Sequence, residues 1–242
     1  MKRKRKKKHQ FSNITTIAIC ILFVICMITM VQNEHFDSQN TQTTEPYEVI
    51  TITDDEPYVV INNNNPLFSE DDKLRTDAFE IYSDLDELGR CGIAYANVCQ
   101  ALMPTEERGK IGHIKPTGWH TVKYNDIIDG NYLYNRCHLI GFQLTGENDN
   151  EKNLITGTRY LNVTGMLPFE NQIADYVQNT NNHVLYRVTP YFHNNNLVAS
   201  GVYLEAYSVE DNGTGICFYV YCPNIQPCIT IDYTTGESKQ TQ

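Results

Sequence analysis

The stretch from Val184 to Ile231 constrains the fold most. Val184, Tyr186 and Val188 recur at every second position, and an Asn194-Asn195-Asn196 turn leads into Leu197 through Val209. Ile216 to Tyr221 and Ile229-Thr230-Ile231 follow after further turn residues. Apolar residues at a period of two, broken by short polar turns, predict an antiparallel meander. Directly before it the period changes. Leu167, Ile173, Ala174 and Val177 share a helical face from Leu167 to Gln178, and Pro168 suits a first turn.

Upstream, Tyr58-Val59-Val60-Ile61 reads as a first strand closed by Asn62 to Pro66, and Ile93 to Val98 as another. Asp71 to Leu88 fits a short helix or extended chain. Lys115 to His120 is a turn-rich loop, Tyr132 to Ile140 a strand, and Gly146 to Asn153 a polar loop. The fold class is therefore α+β: a central, largely antiparallel sheet flanked by helices.

The first 56 residues do not fit such a domain. Residues 1–13 carry seven consecutive Lys/Arg, from Lys2 to Lys8. Residues 14–31 are 18 uncharged, mostly apolar positions, roughly 27 Å as a helix and close to bilayer thickness. No small-x-small cleavage site follows, so an uncleaved transmembrane signal anchor is favoured over a removed signal peptide, which would release a secreted form. The basic head stays cytoplasmic and the remainder faces outward. Residues 32–56 are a polar extracytoplasmic linker, and 57–242 form the folded domain. The expected partner of the N-terminal helix is the membrane, and no protein partner is predicted.

Charge is divided unevenly. All 29 acidic residues follow Gln32, with 12 of the 19 basic ones, so the exported part carries −17. Arg108 to Arg159 holds seven basic and five acidic residues. It is the one stretch a polyanion would not be repelled from. Six cysteines lie beyond the apolar segment, which permits disulfides outside the cytoplasm but dictates no pairing.

That stretch and the helix after it hold a set of reactive side chains. His138 and Arg136 lie two apart on one strand and share a face. Asn153, Asn162 and Glu170 follow. A neutral histidine can take a proton from water near pH 7. Arginine offers a bidentate phosphate contact. Magnesium accepts oxygen ligands and keeps several waters, so a single asparagine can hold it. Together these are the parts needed to hydrolyse a phosphodiester. Each residue alone also fits a plainer role: a packed histidine, a surface ion-pair arginine, capping asparagines and a solvated first-turn glutamate.

The residues carry a family resemblance. Asn135-Arg136-Cys137-His138 resembles the Asp-Arg-Gly-His motif of the DNA/RNA non-specific endonucleases, which are ββα-metal (His-Me finger) nucleases. Glu151-Lys152-Asn153-Leu154-Ile155 resembles their Pro-Lys-Asn-Ile/Leu loop. Asn162 aligns with their metal-binding asparagine, and Glu170 falls eight residues later. Met103-Pro104-Thr105-Glu106, Lys115 to Trp119, Tyr186 to Tyr191 and Ile231 to Gly236 resemble secreted and membrane-bound bacterial members. The resemblance covers about residues 57 to 242.

It implies a sequence-non-specific endonuclease that cuts DNA and RNA to 5′-phosphate products with one Mg2+, Mn2+ being a possible substitute. His138 would be the general base and Asn162 the direct metal ligand. Glu170 would hold metal-bound waters and assist catalysis. Arg136 would contact phosphate or the charged transition state, with Asn153 and Arg159 on the substrate side. Three positions depart from the family: Asn135 for aspartate, Cys137 for glycine, and Ala174 where several members have an arginine that Arg159 could replace. The alternative is a surface nucleic-acid-binding protein with a decayed site. A further one is an anchored interaction domain with structural asparagines.

Overall fold

The computed structural model describes residues 56–241. The basic segment, the apolar stretch and the linker up to residue 55 lie outside the described residues. Among the described residues, no helix is long and apolar enough to cross a membrane.

The strands are β1 (Val59–Val60), β2 (Phe79–Tyr82), β3 (Ala94–Val98), β4 (Tyr134–His138), β5 (Leu154–Thr158), β6 (Val184–Tyr191), β7 (Gly201–Ser208), β8 (Cys217–Pro223), β9 (Ile229–Ile231) and β10 (Ser238–Gln240). Two α-helices are α1 (Phe142–Thr145) and α2 (Leu167–Thr180), the latter continuing a π-helical turn over Leu161–Met166. β6, β7 and β8 form the expected meander inside a six-stranded sheet ordered β1-β8-β7-β6-β3-β2, with antiparallel neighbours throughout. The class is α+β, as expected. The motif strand does not join this sheet: β4 pairs only with β5, in a separate two-stranded ladder.

Alternation decides which face of the large sheet is covered. Ala94, Val188, Leu204 and Val220 are register partners across four strands, all buried. Against them pack Phe169, Ile173 and Val177 of α2 and, from the β4–β5 ladder, Cys137 and Ile155. Burying each large apolar side chain contributes about 1.5–3 kcal/mol, so α2 is held by this face rather than by its mixed intrinsic propensity. The helix ends at Asn181, whose left-handed φ of 60° lets its N–H reach the Val177 carbonyl.

The opposite face is closed by Phe68, stacked on Tyr95, and by the cross-strand pair Arg187–Glu205 at 2.6 Å. Glu205 also accepts from the Leu67 N–H, so chain entering the domain crosses this face. Asn224 ties the β4–β5 ladder to the large sheet. Its fully buried amide donates to the Thr156 and Ala199 carbonyls and accepts from the Thr158 N–H. All six cysteines among the described residues are unpaired.

Candidate active site

β4, β5 and the helix through Asn162 and Glu170 form a ββα unit. His138 ends β4 opposite Leu154 and is buried. Its ring is held from both sides. Nε2 lies 3.0 Å from the Asn148 carbonyl, which can only accept, so the proton sits on Nε2. Nδ1 then carries a bare lone pair, and Arg108 Nη2 donates to it at 3.1 Å. Burial, aided by the Arg108 charge and opposed by the Asn148 contact, pushes the imidazole down from 6.5 to about 4. The ring is therefore neutral near pH 7, as a general base must be.

The four residues from His138 to Gly141 are fixed to their neighbours. Leu139 N–H donates to the Asn153 carbonyl. The Asn153 side chain accepts from Ile140 N–H at 2.9 Å and donates to its carbonyl at 3.0 Å. Gly141 N–H donates to Glu170 Oε1 at 2.9 Å. A side chain on Gly141 would bring its Cβ within 2.6 Å of Glu170 Oε2, so glycine is what lets the carboxyl approach. Burial pushes the Glu170 carboxyl up to about 7, while the Gly141 N–H and the Arg108 charge pull the other way.

Asn162 sits in the π-helical turn, where Leu167 N–H reaches back five residues to its carbonyl. Such wide turns recur at functional sites because they re-aim a side chain without breaking the helix. Asn162 Oδ1 accepts from the Cys137 thiol at 3.2 Å. Glu170 lies eight residues further along the same continuous helix.

The other expected site residues are placed differently. Arg136 is wedged over the Trp119 ring, 4.1 Å from its centroid, and donates to the Gly112 and Ile114 carbonyls. It clamps the loop that carries Arg108. Asn153, expected on the substrate side, is fully buried with both ends of its amide on Ile140, where it holds the backbone two residues past His138. Arg159, expected on the substrate side in place of an arginine at Ala174, lies away from His138. Its N–H bonds the Leu133 carbonyl at the far end of the ladder, about 17 Å along the strand from His138, and its side chain pairs with Asp129.

Arg108 is the residue that sequence reasoning passed over. It lies thirty positions before His138 in a loop without periodicity, and its one visible signal is that it opens the non-acidic stretch. Its charge acts on His138, Glu170 and Cys137 alike, which gathers them around one guanidinium. The donor set suits a hard cation. Asn162 Oδ1 and the Glu170 carboxyl offer oxygen. Among the described residues no three His, Cys, Asp or Glu side chains converge as a metal site, so such an ion would keep most of its water.

Comparison with known proteins gives one consistent picture. The profile of the DNA/RNA non-specific endonuclease family matches residues 71–210. NucA from Streptococcus agalactiae is similar at 28% identity over 75% of this chain and 86% of its own, with a TM-score of 0.67 for the magnesium-bound crystal structure and 0.65 for the metal-free one. The Sda1 nuclease with bound zinc shares the fold, at 22% identity and a TM-score of 0.62, over 76% of this chain and 96% of its own.

Proposed function

The chain belongs to the DNA/RNA non-specific endonuclease family, and from that premise we propose that it hydrolyses DNA and RNA to 5′-phosphate products using one divalent cation, with His138 as general base. The observation that carries the reading is the state of His138: buried, neutral, its tautomer set by the Asn148 carbonyl and its free lone pair facing a guanidinium.

Asn162 Oδ1 would hold the cation directly and Glu170 would hold it through water. The magnesium-bound form of NucA supports magnesium as the ion. Once bound, the cation supplies charge neutralisation at the nonbridging and leaving oxygens of the phosphodiester.

The protein's own residues do the rest. A phosphate entering the site competes for Arg108 with a full negative charge against a neutral ring nitrogen, so the guanidinium turns to phosphate and uncovers Nδ1. Nδ1 then takes the proton of the attacking water, and Nε2–H stays on the Asn148 carbonyl throughout. The Gly141 N–H holds Glu170 so that its other oxygen can order water. Arg136 acts at one remove, by seating the Arg108 loop against Trp119. Contacts to phosphate carry no sequence information, which accounts for a broad substrate range.

The apolar segment 14–31 supports display of this activity outside the membrane, the chain remaining anchored. The test uses the full chain purified in detergent, with plasmid and RNA, in magnesium and in chelator, alongside His138→Ala. Cleavage lost in chelator and in the variant is expected. Cleavage that survives either one overturns the mechanism, and binding without cleavage by the wild type assigns a binding protein instead.

A further inference from the structure

Cys137 stands where the family motif carries glycine, and the structure shows what its side chain touches. The thiol is fully buried, 3.2 Å from Asn162 Oδ1 and 3.5 Å from Met166 Sδ. Asn162 and Met166 are four residues apart in the π-helical turn, so one sulfur bridges both ends of it. The thiol proton has two oxygens in reach, the Asn162 amide oxygen at 3.2 Å and the His138 carbonyl at 3.7 Å, and the amide oxygen is the nearer. That oxygen is the atom through which Asn162 would bind a cation.

A buried cysteine is usually a small apolar filler. Two features separate Cys137 from that role. The first is the hydrogen bond itself, to a side chain at the site. The second is the strand opposite. A Cβ on Gly157 would lie 2.6 Å from Cys137 Cβ and 3.2 Å from Sγ. The partner strand thus leaves open the space that the cysteine fills, and the two positions are matched.

We infer that Cys137 is a positioning residue for the metal ligand Asn162, an inference that rests on the reading of Asn162 given above. The thiol occupies one lone pair of Oδ1 and holds the amide in a single orientation, leaving the other lone pair for the cation. An unheld asparagine on the same turn rotates among its rotamers and must be ordered when the ion binds. Cys137 supplies that ordering in advance, so it sets the affinity for the ion.

The test is direct Mn2+ binding by electron paramagnetic resonance on the full chain in detergent, with no substrate present. Cys137→Ala should weaken binding roughly threefold to tenfold, the worth of one modest hydrogen bond. Cys137→Ser, which restores a donor at the same place, should recover most of that loss. The Mn2+ concentration for half-maximal cleavage should rise in Cys137→Ala by the same factor as the loss of affinity, and fall back in Cys137→Ser. Unchanged Mn2+ affinity in Cys137→Ala overturns the inference, as does a serine variant as weak as alanine. Asn162→Ala is run in parallel. If it loses Mn2+ while Cys137→Ala does not, only the role of Cys137 falls. If Asn162→Ala binds Mn2+ normally, the ligand assignment falls and the inference with it.

Discussion

Arg108 Nη2 lies 3.1 Å from His138 Nδ1, so the nitrogen expected to take a proton from water is covered by a cation thirty residues upstream. Two roles for that arginine predict opposite results. If it binds the scissile phosphate, Arg108→Ala should lower kcat on the order of 10²-fold, the usual scale for losing one preorganised charge donor. Arg108→Lys should recover part of it. If the arginine only covers the base, its removal should leave kcat unchanged or higher. Steady-state kinetics on a short duplex separates the two.

The pH profile should show an unusually low acid limb. A free histidine titrates at 6.5, and native His138 at about 4, so the base stays competent well below neutrality. The profile of kcat/KM at saturating metal should fall with a midpoint near 4, and a midpoint near 6.5 would contradict the buried geometry. Stability follows the same group. Its contribution is complete above the unfolded value of 6.5 and is lost as pH falls through the native value, because the unfolded chain takes up the proton first. Glu170 has the opposite sign. With its carboxyl raised to about 7, its contribution is complete below the unfolded value of 4.5 and is lost as pH rises through 7. Thermal melts of the metal-free protein across this range measure both.

Asn153 should prove structural. Asn153→Ala strands the buried N–H and carbonyl of Ile140, at a cost of about 1–3 kcal/mol for each unsatisfied group. Asn153→Asp keeps the acceptor but sets a carboxylate oxygen against the Ile140 carbonyl, and should be no better. Urea denaturation gives the stability change. Activity per folded molecule should fall because His138 lies two residues from the clamp, while KM for substrate should change little.

Gly141→Ala tests the approach of Glu170. The added Cβ would sit 2.6 Å from Oε2, so the carboxyl or the β4–α1 turn must move. Overpacking of this kind costs typically 1–3 kcal/mol. The same change should weaken Mn2+ binding. A variant with wild-type metal affinity and wild-type melting temperature would mean that the carboxyl is free to withdraw.

The meander was legible because Val184, Tyr186 and Val188 alternate and the turns are rich in asparagine. α2 was legible because its apolar residues keep a helical period after Pro168. β5 was not, since Leu154 to Thr158 is a fully buried run without alternation. The π-helical turn was not either, because Asn162, Val163, Thr164 and Gly165 are poor helix formers and the helical period begins only at Leu167. Within the site, His138, Asn162 and Glu170 could be named as a set from their order along the chain. The function of Asn153 could not, because clamping a backbone and facing a substrate call for the same residue type.

The sequence by itself determined the fold class, and its motifs carried the resemblance to the family. The first rests on short-range periodicity, and the second on the order of Asn135 to His138, Glu151 to Ile155, Asn162 and Glu170 along the chain. Tertiary structure alone decided which cation serves the histidine. Arg159 is carried to the far end of the ladder by strand register, while Arg108, thirty residues before His138, is folded back by the loop that Arg136 and Trp119 hold. It also decided that Cys137 and Gly157 are matched and that the thiol meets Asn162. Such pairings depend on how separate segments pack, and no local pattern encodes the distance between them.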